Sequence, residues 1–363
     1  MITLNSQMKG PNMSTLIIPA AGKSSRFPGM RPKWLLTMPD GNLMIEHAIR
    51  SIVQNNKFDR IIVVCLEEHV SKYTSLAKLN MLLESSSSQP VEILLLEKPT
   101  DSQSETVLQA LQRMKVEGPF LIKDCDNYFD FQWNNGYQIA VVDVETVDGV
   151  DIRNKSYVRV DPMGIVQNIV EKKIISNLFC CGAYGFASSE QFIESFQSIQ
   201  SASEIYVSHV IFKAIMSGSN FEAKLADGYI DWGTMDAYHK HMNNSFTIFC
   251  DLDGVLLKNS SKFAAEGWIS KANDENLKSL QELIKNKNVH LVITTSRPES
   301  DKPNVKKILD DYGIVAQNYV MGLPHGKRIL INDYSQTNPY PTAISLNIER
   351  DSDKLNMLLK NLL

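Results

Sequence analysis

The feature that most constrains this chain is the regular exchange of short apolar runs and amphipathic segments over its first third. Leu16-Ile17-Ile18-Pro19, Arg60 to Leu66, Val91 to Leu95 and Phe120 to Lys123 read as buried strands. Met44–Val53, Val70–Leu83 and Glu105–Met114 carry helical spacing between them. Strands joined through helices need crossover connections, and these lay the strands parallel with helices on both faces. The expected class is α/β.

From Gln138 to Phe186 the texture changes to short strands, Tyr157-Val158-Arg159-Val160, Ile165–Val170 and Cys180–Phe186, parted by turn residues such as Asp161-Pro162-Met163-Gly164. This predicts a mixed-sheet insertion that roofs a substrate. Helices follow at Val207–Met216 and Met235–Met242, and the polar Asn243-Asn244-Ser245 precedes a fresh strand, Phe246–Cys250. The chain of 363 residues has length for two cores, so we place a boundary there, giving domains 14–243 and 246–363. The second repeats the rhythm in miniature: a strand to Asp251, helix Glu275–Lys285, strand Val289–Thr294, helix Val305–Asp311, strand Ile329–Ile331 and helix Asp353–Leu362. Residues 1–13 read as a frayed tail and Ser85–Ser88 as a loop.

Composition bounds the partners. A formal charge of −4 with no dense Lys/Arg block offers no general attraction for nucleic acid or an anionic membrane. Runs such as Leu16–Ala21 are far shorter than the roughly 20 residues of a membrane span, and the N-terminus lacks a secretory apolar core. Small molecules are the expected partners and the cytoplasm the expected compartment. Cys65, Cys125, Cys180, Cys181 and Cys250 lie mostly in strand-like runs without metal-ligand spacing, so they read as reduced core residues.

Two motifs carry chemistry. Asp251-Leu252-Asp253-Gly254-Val255 follows the apolar Phe249-Cys250, so the turn after that strand aims two carboxylates into one pocket, where one attacks phosphorus and the other moves a proton. On its own, D-x-D-G also fits a calcium loop or a plain turn. Ala20-Ala21-Gly22-Lys23-Ser24-Ser25-Arg26-Phe27 follows the first strand; glycine and small hydroxyl residues let backbone N–H groups approach phosphate oxygens, and Arg26 and Lys33 supply charge for a leaving pyrophosphate.

With Pro32-Lys33-Trp34-Leu35-Leu36, the second motif resembles the sugar-phosphate nucleotidyltransferase family, over most of 14–243. The resemblance implies a Rossmann-like mixed sheet. It makes Ala20, Ala21, Gly22, Lys23, Ser24 and Ser25 phosphate-binding, Gln103, Ser104 and Thr106 base-binding, and Arg26 and Lys33 catalytic. Asp126, in Asp126-Asn127-Tyr128-Phe129, and Asp231, in Tyr229-Ile230-Asp231-Trp232-Gly233, would hold Mg²⁺ on the triphosphate, while Glu171, Lys172, Asn177 and Gly182 would hold a phosphorylated sugar or polyol. Ser24 stands where the family has a second glycine, and Lys173 where a proline often follows.

Residues 246–363 resemble the haloacid dehalogenase superfamily of phosphatases, in a small form without a cap domain. The resemblance makes Asp251 the nucleophile, Asp253 the acid and base, Thr295 and Arg297 phosphoryl or substrate contacts, and Lys327 the steadying cation. Asp251, Asp253 and Asp333 would bind Mg²⁺, with Asn332 where a second acidic residue is frequent. The chain thus resembles bacterial capsule and surface-polysaccharide enzymes that carry both modules, and this resemblance implies a bifunctional enzyme making a nucleotide-activated sugar or polyol. A C-terminal domain that only binds or mediates assembly is the alternative. The nucleotide base, the acceptor and any homo-oligomer stay open.

Overall fold

The apolar run at the start of the chain becomes the middle of the larger sheet. The computed structural model describes residues 13–147, 150–200, 204–263, 267–268, 271–333 and 343–360, in two compact units that part between Tyr238 and His239. The expected tail over residues 1–12, and the end of the last expected helix at 361–362, lie outside the described residues.

In the first unit β1 (Thr15–Ala20), β2 (Arg60–Leu66), β3 (Val91–Leu96) and β4 (Phe120–Lys123) run parallel in the spatial order β4-β1-β2-β3. All six residues of β1 are buried, with Leu16, Ile18 and Ala20 in one core and Ile17 in the other. Burial on both faces is why these strands read as continuous apolar runs rather than alternating ones. The connecting helices are α1 (Met44–Val53), α2 (Glu67–Tyr73), α3 (Leu76–Ser87) and α4 (Gln103–Arg113). The chain moves outward from β1 to β3 and then returns to β1's other side as β4. That reversal opens a crevice at the carboxyl ends of β1 and β4, where ligands of such sheets bind.

Two local expectations fail here for identifiable reasons. The single helix expected over Val70–Leu83 is two, because Thr74 and Ser75 are extended and the Ser75 hydroxyl accepts from Lys78 N to cap α3. Ser85–Ser88 is not a loop: Ser85–Ser87 complete α3, Ser86 donates to the buried Glu46 at 2.7 Å, and Ser88 closes the helix at φ 55°.

The remaining strands are β5 (Asn127–Asp130), β6 (Gln138–Asp143), β7 (Tyr157–Val160), β8 (Val166–Val170), β9 (Leu178–Phe186), β10 (Glu222–Leu225) and β11 (Asp227–Asp231). β9 pairs antiparallel with β4 and β6, β10 pairs parallel with β6, and the β7–β8 pair joins through β9. The short strands thus belong to the main sheet rather than to a separate roof. β5 and β11 form an antiparallel ribbon with Asp231 opposite Asn127. Helices α5 (Ser189–Gln197), α6 (Val207–Met216) and α7 (Met235–Met242) complete the order.

Among the described residues the second unit has three parallel strands, β12 (Ser245–Asp251), β13 (Asn288–Thr294) and β14 (Asn318–Val320), with helices α8 (Asp274–Asn286), α9 (Lys302–Asp311) and α10 (Leu355–Lys360). Asp251 lies opposite Thr294, so the carboxyl ends of β12 and β13 present their next residues side by side. The strand expected at Ile329–Ile331 does not form. Its three side chains are exposed, and the third strand is the polar-led Asn318–Val320 instead. Three apolar residues in a row carry no period, so partners and not the run itself decide whether a strand forms.

Candidate active sites

The loop after β1 opens the first site. Gly22, Lys23, Ser25 and Arg26 are exposed, whereas Ala20 and Ala21 are buried and can offer only backbone. Ser24, where the family has glycine, adopts φ 50°, the left-handed region that glycine favours. Its hydroxyl accepts from Lys33 N at 3.2 Å and its carbonyl from Phe27 N at 2.9 Å, which fixes the loop beside Lys33.

Asp126 follows β4 and Asp231 ends β11, and the ribbon brings them to one point. Trp232 N donates to Asp126 O at 2.9 Å. A Cβ placed on Gly233 would lie 3.0 Å from Asp126 Oδ2 and 3.1 Å from Asp231 Oδ1. Each carboxylate also has its own lysine: Lys33 Nζ donates to Asp126 at 2.5 Å, and Lys155 Nζ to Asp231 at 2.7 Å. Arg26 Nη1 reaches Gly233 O at 3.4 Å. Burial alone would raise the pKa of Asp126, but the charges of Lys33, Lys155 and Arg26 hold it below the usual carboxylate range. Burial likewise works against the Lys33 ammonium, and the Asp126 charge reverses that.

These residues fit a hard cation. No group of three or more His, Cys, Asp or Glu is placed to hold a metal among the described residues. A Mg²⁺ site needs no such group, since one or two carboxylates suffice when phosphate and water oxygens complete the shell. Asp126 and Asp231 would supply that pair.

Lys123 and Asp124, which no sequence motif marks, shape the turn together with Gly182, expected as an acceptor contact. Lys123 is 0% exposed; its ammonium donates to Asp124 O at 2.8 Å, Asn127 O at 3.0 Å and Asn127 Oδ1, over the Phe129 ring at 4.6 Å. Burial lowers its pKa to about 8. Asp124, raised by burial and then by Asp126's charge, accepts from Gln103 Nε2. Gly182, at φ 104°, lies so close that a Cβ would meet Asp124 Oδ2 at 2.5 Å. Lys123 therefore ties both ends of the turn that aims Asp126. We expect Lys123→Met to lose roughly 10²-fold in transferase turnover and to raise the Mg²⁺ concentration for half-activation, because the carboxylate loses its aim. Magnesium titration of activity, with a thermal melt beside it, checks this.

Other expected contacts are placed differently. Ser104 is 0% exposed and its hydroxyl goes to Ile205 O, while Thr106, 2% exposed, bonds Thr100 and Ser102 O. Both sit on the inward stripe of α4 with Val107 and Ala110, so neither side chain can contact a base. Gln103, at the start of α4, remains accessible beside Asp124. Glu171 accepts from Ser156 and from Ser208 at 2.8 Å, and Lys172, at φ 53°, donates to Tyr206 OH at 2.6 Å. Asn177 is exposed, with its amide on Glu145 at 3.3 Å.

In the second unit the carboxylates of Asp251 and Asp253 are held by different cations. Asp251 Oδ2 accepts from Arg328 Nη1 at 2.9 Å. Lys327, the expected cation, is exposed, and its neighbour reaches the carboxylate instead. Asp253 accepts from Arg297 Nη2 at 2.7 Å, Arg297 Nε at 3.1 Å and Thr295 Oγ1 at 3.0 Å. Arg297 is 0% exposed, bound also to Asp301 at 2.8 Å and stacked over Trp268 at 5.3 Å. It is thus a buried clamp on Asp253 and not a substrate contact, and Thr295 spends its hydroxyl proton on the same carboxylate. Asp333 and Asn332 are exposed in a run without secondary structure. Asp251 thus meets Arg328, and no strand end fixes Asp333 beside it.

Similarity to known proteins follows this division. Residues 16–130 match the MobA-like NTP transferase domain family, and residues 247–338 match the HAD domain in Swiss Army Knife RNA repair proteins. The chain is an enzyme. The two matches support transferase activity for the first unit and phosphatase activity for the second. A nucleoside-diphosphate-sugar pyrophosphorylase from Vibrio cholerae RC9 shares the fold at TM-score 0.55 and 21% identity, over 63% of this chain and 99% of its own. The inositol-1-phosphate CTP transferase from T. maritima gives 0.51 and 16%, over 64% and 96%. A UDP-glucose pyrophosphorylase complexed with UDP-glucose gives 0.51 and 16%, over 64% and 97%. No curated protein matches the chain. Among the described residues no helix is long and apolar enough to cross a membrane.

Proposed function

We propose that residues 14–243 transfer a nucleotidyl group from an NTP to a sugar or polyol phosphate, and that residues 246–363 hydrolyse a phosphomonoester. The observation that carries the first half is the convergence of Asp126 and Asp231 on Gly233 with a lysine on each carboxylate. An oxygen of the acceptor phosphate attacks the α-phosphorus, the bond to the bridging oxygen breaks, and pyrophosphate leaves. Mg²⁺ would supply charge neutralisation on the triphosphate. Arg26 and Lys33 face the leaving pyrophosphate, Lys172 and Glu171 hold the acceptor, and no covalent intermediate is needed.

In the second unit Asp251 attacks the phosphoryl group and forms an aspartyl-phosphate, steadied by Arg328. Asp253, aimed by Arg297 and Thr295, protonates the leaving oxygen and then takes a proton from the attacking water. A fused phosphatase that destroyed the transferase's own acceptor would be futile, so it trims a different phosphate. Synthesis of precursors for capsule or surface polysaccharide in the cytoplasm suits this pairing.

Screening CTP, UTP, ATP and GTP against glucose 1-phosphate, inositol 1-phosphate and glycerol 3-phosphate, with pyrophosphate detection, tests the first half. We expect Mg²⁺-dependent release with at least one pair. Silence across the grid, from folded protein, would refute it.

A further inference from the structure

We propose that Lys155 is a catalytic residue of the transfer site: it leaves Asp231 for the acceptor's phosphate once a divalent cation lies between Asp126 and Asp231. This rests on the transfer reading above. Lys155 belongs to no motif of the sequence and comes from just before β7, whereas Lys33 comes from the segment after β1.

Three observations place it. Its ammonium sits on Asp231 Oδ2 at 2.7 Å, the carboxylate whose other oxygen faces the shared point at Gly233. A second bond, 2.8 Å to Tyr229 OH, gives it a neutral pivot that stays when the ion pair is given up. Tyr229 is itself fixed, packed against Phe129 and Phe179. Finally, Lys155 O accepts from Lys172 N at 3.1 Å, which joins Lys155 to the Glu171-Lys172 stretch rather than to the loop after β1.

The charge logic follows. Two carboxylates facing one point repel each other, and each lysine relieves one of them. A cation at that point does the same work for both carboxylates at once, so both ammoniums become available for phosphate oxygens. Lys33, on the β1 side, turns to the nucleotide. Lys155, on the β7–β8 side, turns to the incoming phosphate, where in-line attack needs a second positive group to bring two anions together. A lysine suits this exchange because its compact ammonium on a flexible stem moves between partners without the fixed fork of arginine.

The inference makes opposite-sign predictions for one substitution. In Lys155→Met, with MgCl₂ alone and no nucleotide, the competitor for Asp231 is gone, so calorimetry should show Mg²⁺ binding about tenfold tighter than wild type. Turnover of the same variant with the active NTP and acceptor pair should fall about 10²-fold, with acceptor KM raised and NTP KM within about threefold. Lys155→Arg should restore part of the turnover. A merely structural lysine would weaken both properties together; unchanged or weaker Mg²⁺ binding, or a loss falling equally on NTP and acceptor KM, overturns the proposal. If no NTP and acceptor pair turns over in the wild type, the transfer reading fails. The Mg²⁺ titration still decides whether Lys155 and the cation compete for Asp231.

Discussion

Asp126→Asn should lower the rate of pyrophosphate release by about 10²–10³-fold, with little recovery at high Mg²⁺, and Asp231→Asn should do nearly the same. The amide keeps an oxygen at the shared point but not the charge, and Lys33 loses the partner it holds at 2.5 Å. Loss of one preorganised electrostatic contact typically removes about 3–4 kcal/mol of transition-state stabilisation, which is the size expected here. Because Lys33 and Asp126 are largely shielded from water, the substitution also costs folding stability, on the order of a broken part-buried ion pair. A coupled pyrophosphate assay read with a thermal melt separates the two effects. Activity within tenfold of wild type, from either variant, would mean that the two carboxylates do not carry the transfer.

The second large effect is a separation of activities. Asp251→Asn should abolish hydrolysis of p-nitrophenyl phosphate, a loss on the order of 10⁴-fold or more, while pyrophosphate release by the first unit is unchanged. Removal of a nucleophile cannot be compensated by its neighbours, since Asp253 is pinned by Arg297 and Thr295. Arg328 gives a graded control: replacing it should weaken the phosphatase without erasing it, as it steadies charge rather than forming a bond. Wild-type protein that hydrolyses no phosphomonoester would instead favour a second unit that binds or assembles.

Much of the framework could be read before any coordinates. Met44–Val53, Arg60–Leu66, Phe120–Lys123, Tyr157–Val160 and Val207–Met216 form the elements expected of them, because apolar side chains at a clear spacing leave little choice once both sheet faces are covered. The β5–β11 ribbon was invisible: Asn127–Asp130 and Asp227–Asp231 are short, mixed in polarity and joined across the chain. That ribbon brings Asp231 to Asp126, so the heart of the site rests on a pairing without local signature. Lys123, Lys155 and Arg328 escaped for the same reason. Their partners are backbone carbonyls, or carboxylates up to 77 positions away, and a lone lysine or arginine in sequence reads as a solvated charge. Arg297 erred in the opposite direction, since only burial distinguishes a clamp from a contact to substrate.

The lysines on Asp126 and Asp231 make these acidic groups electrically self-sufficient. Small zinc domains fold only while the ion is present, because binding the metal supplies their folding free energy. Here the balancing charge is built into the chain, so the first unit should fold in a magnesium-free buffer. On the transfer reading proposed above, scarcity of the ion would idle this unit and leave the polypeptide intact, ready to resume when supply returns.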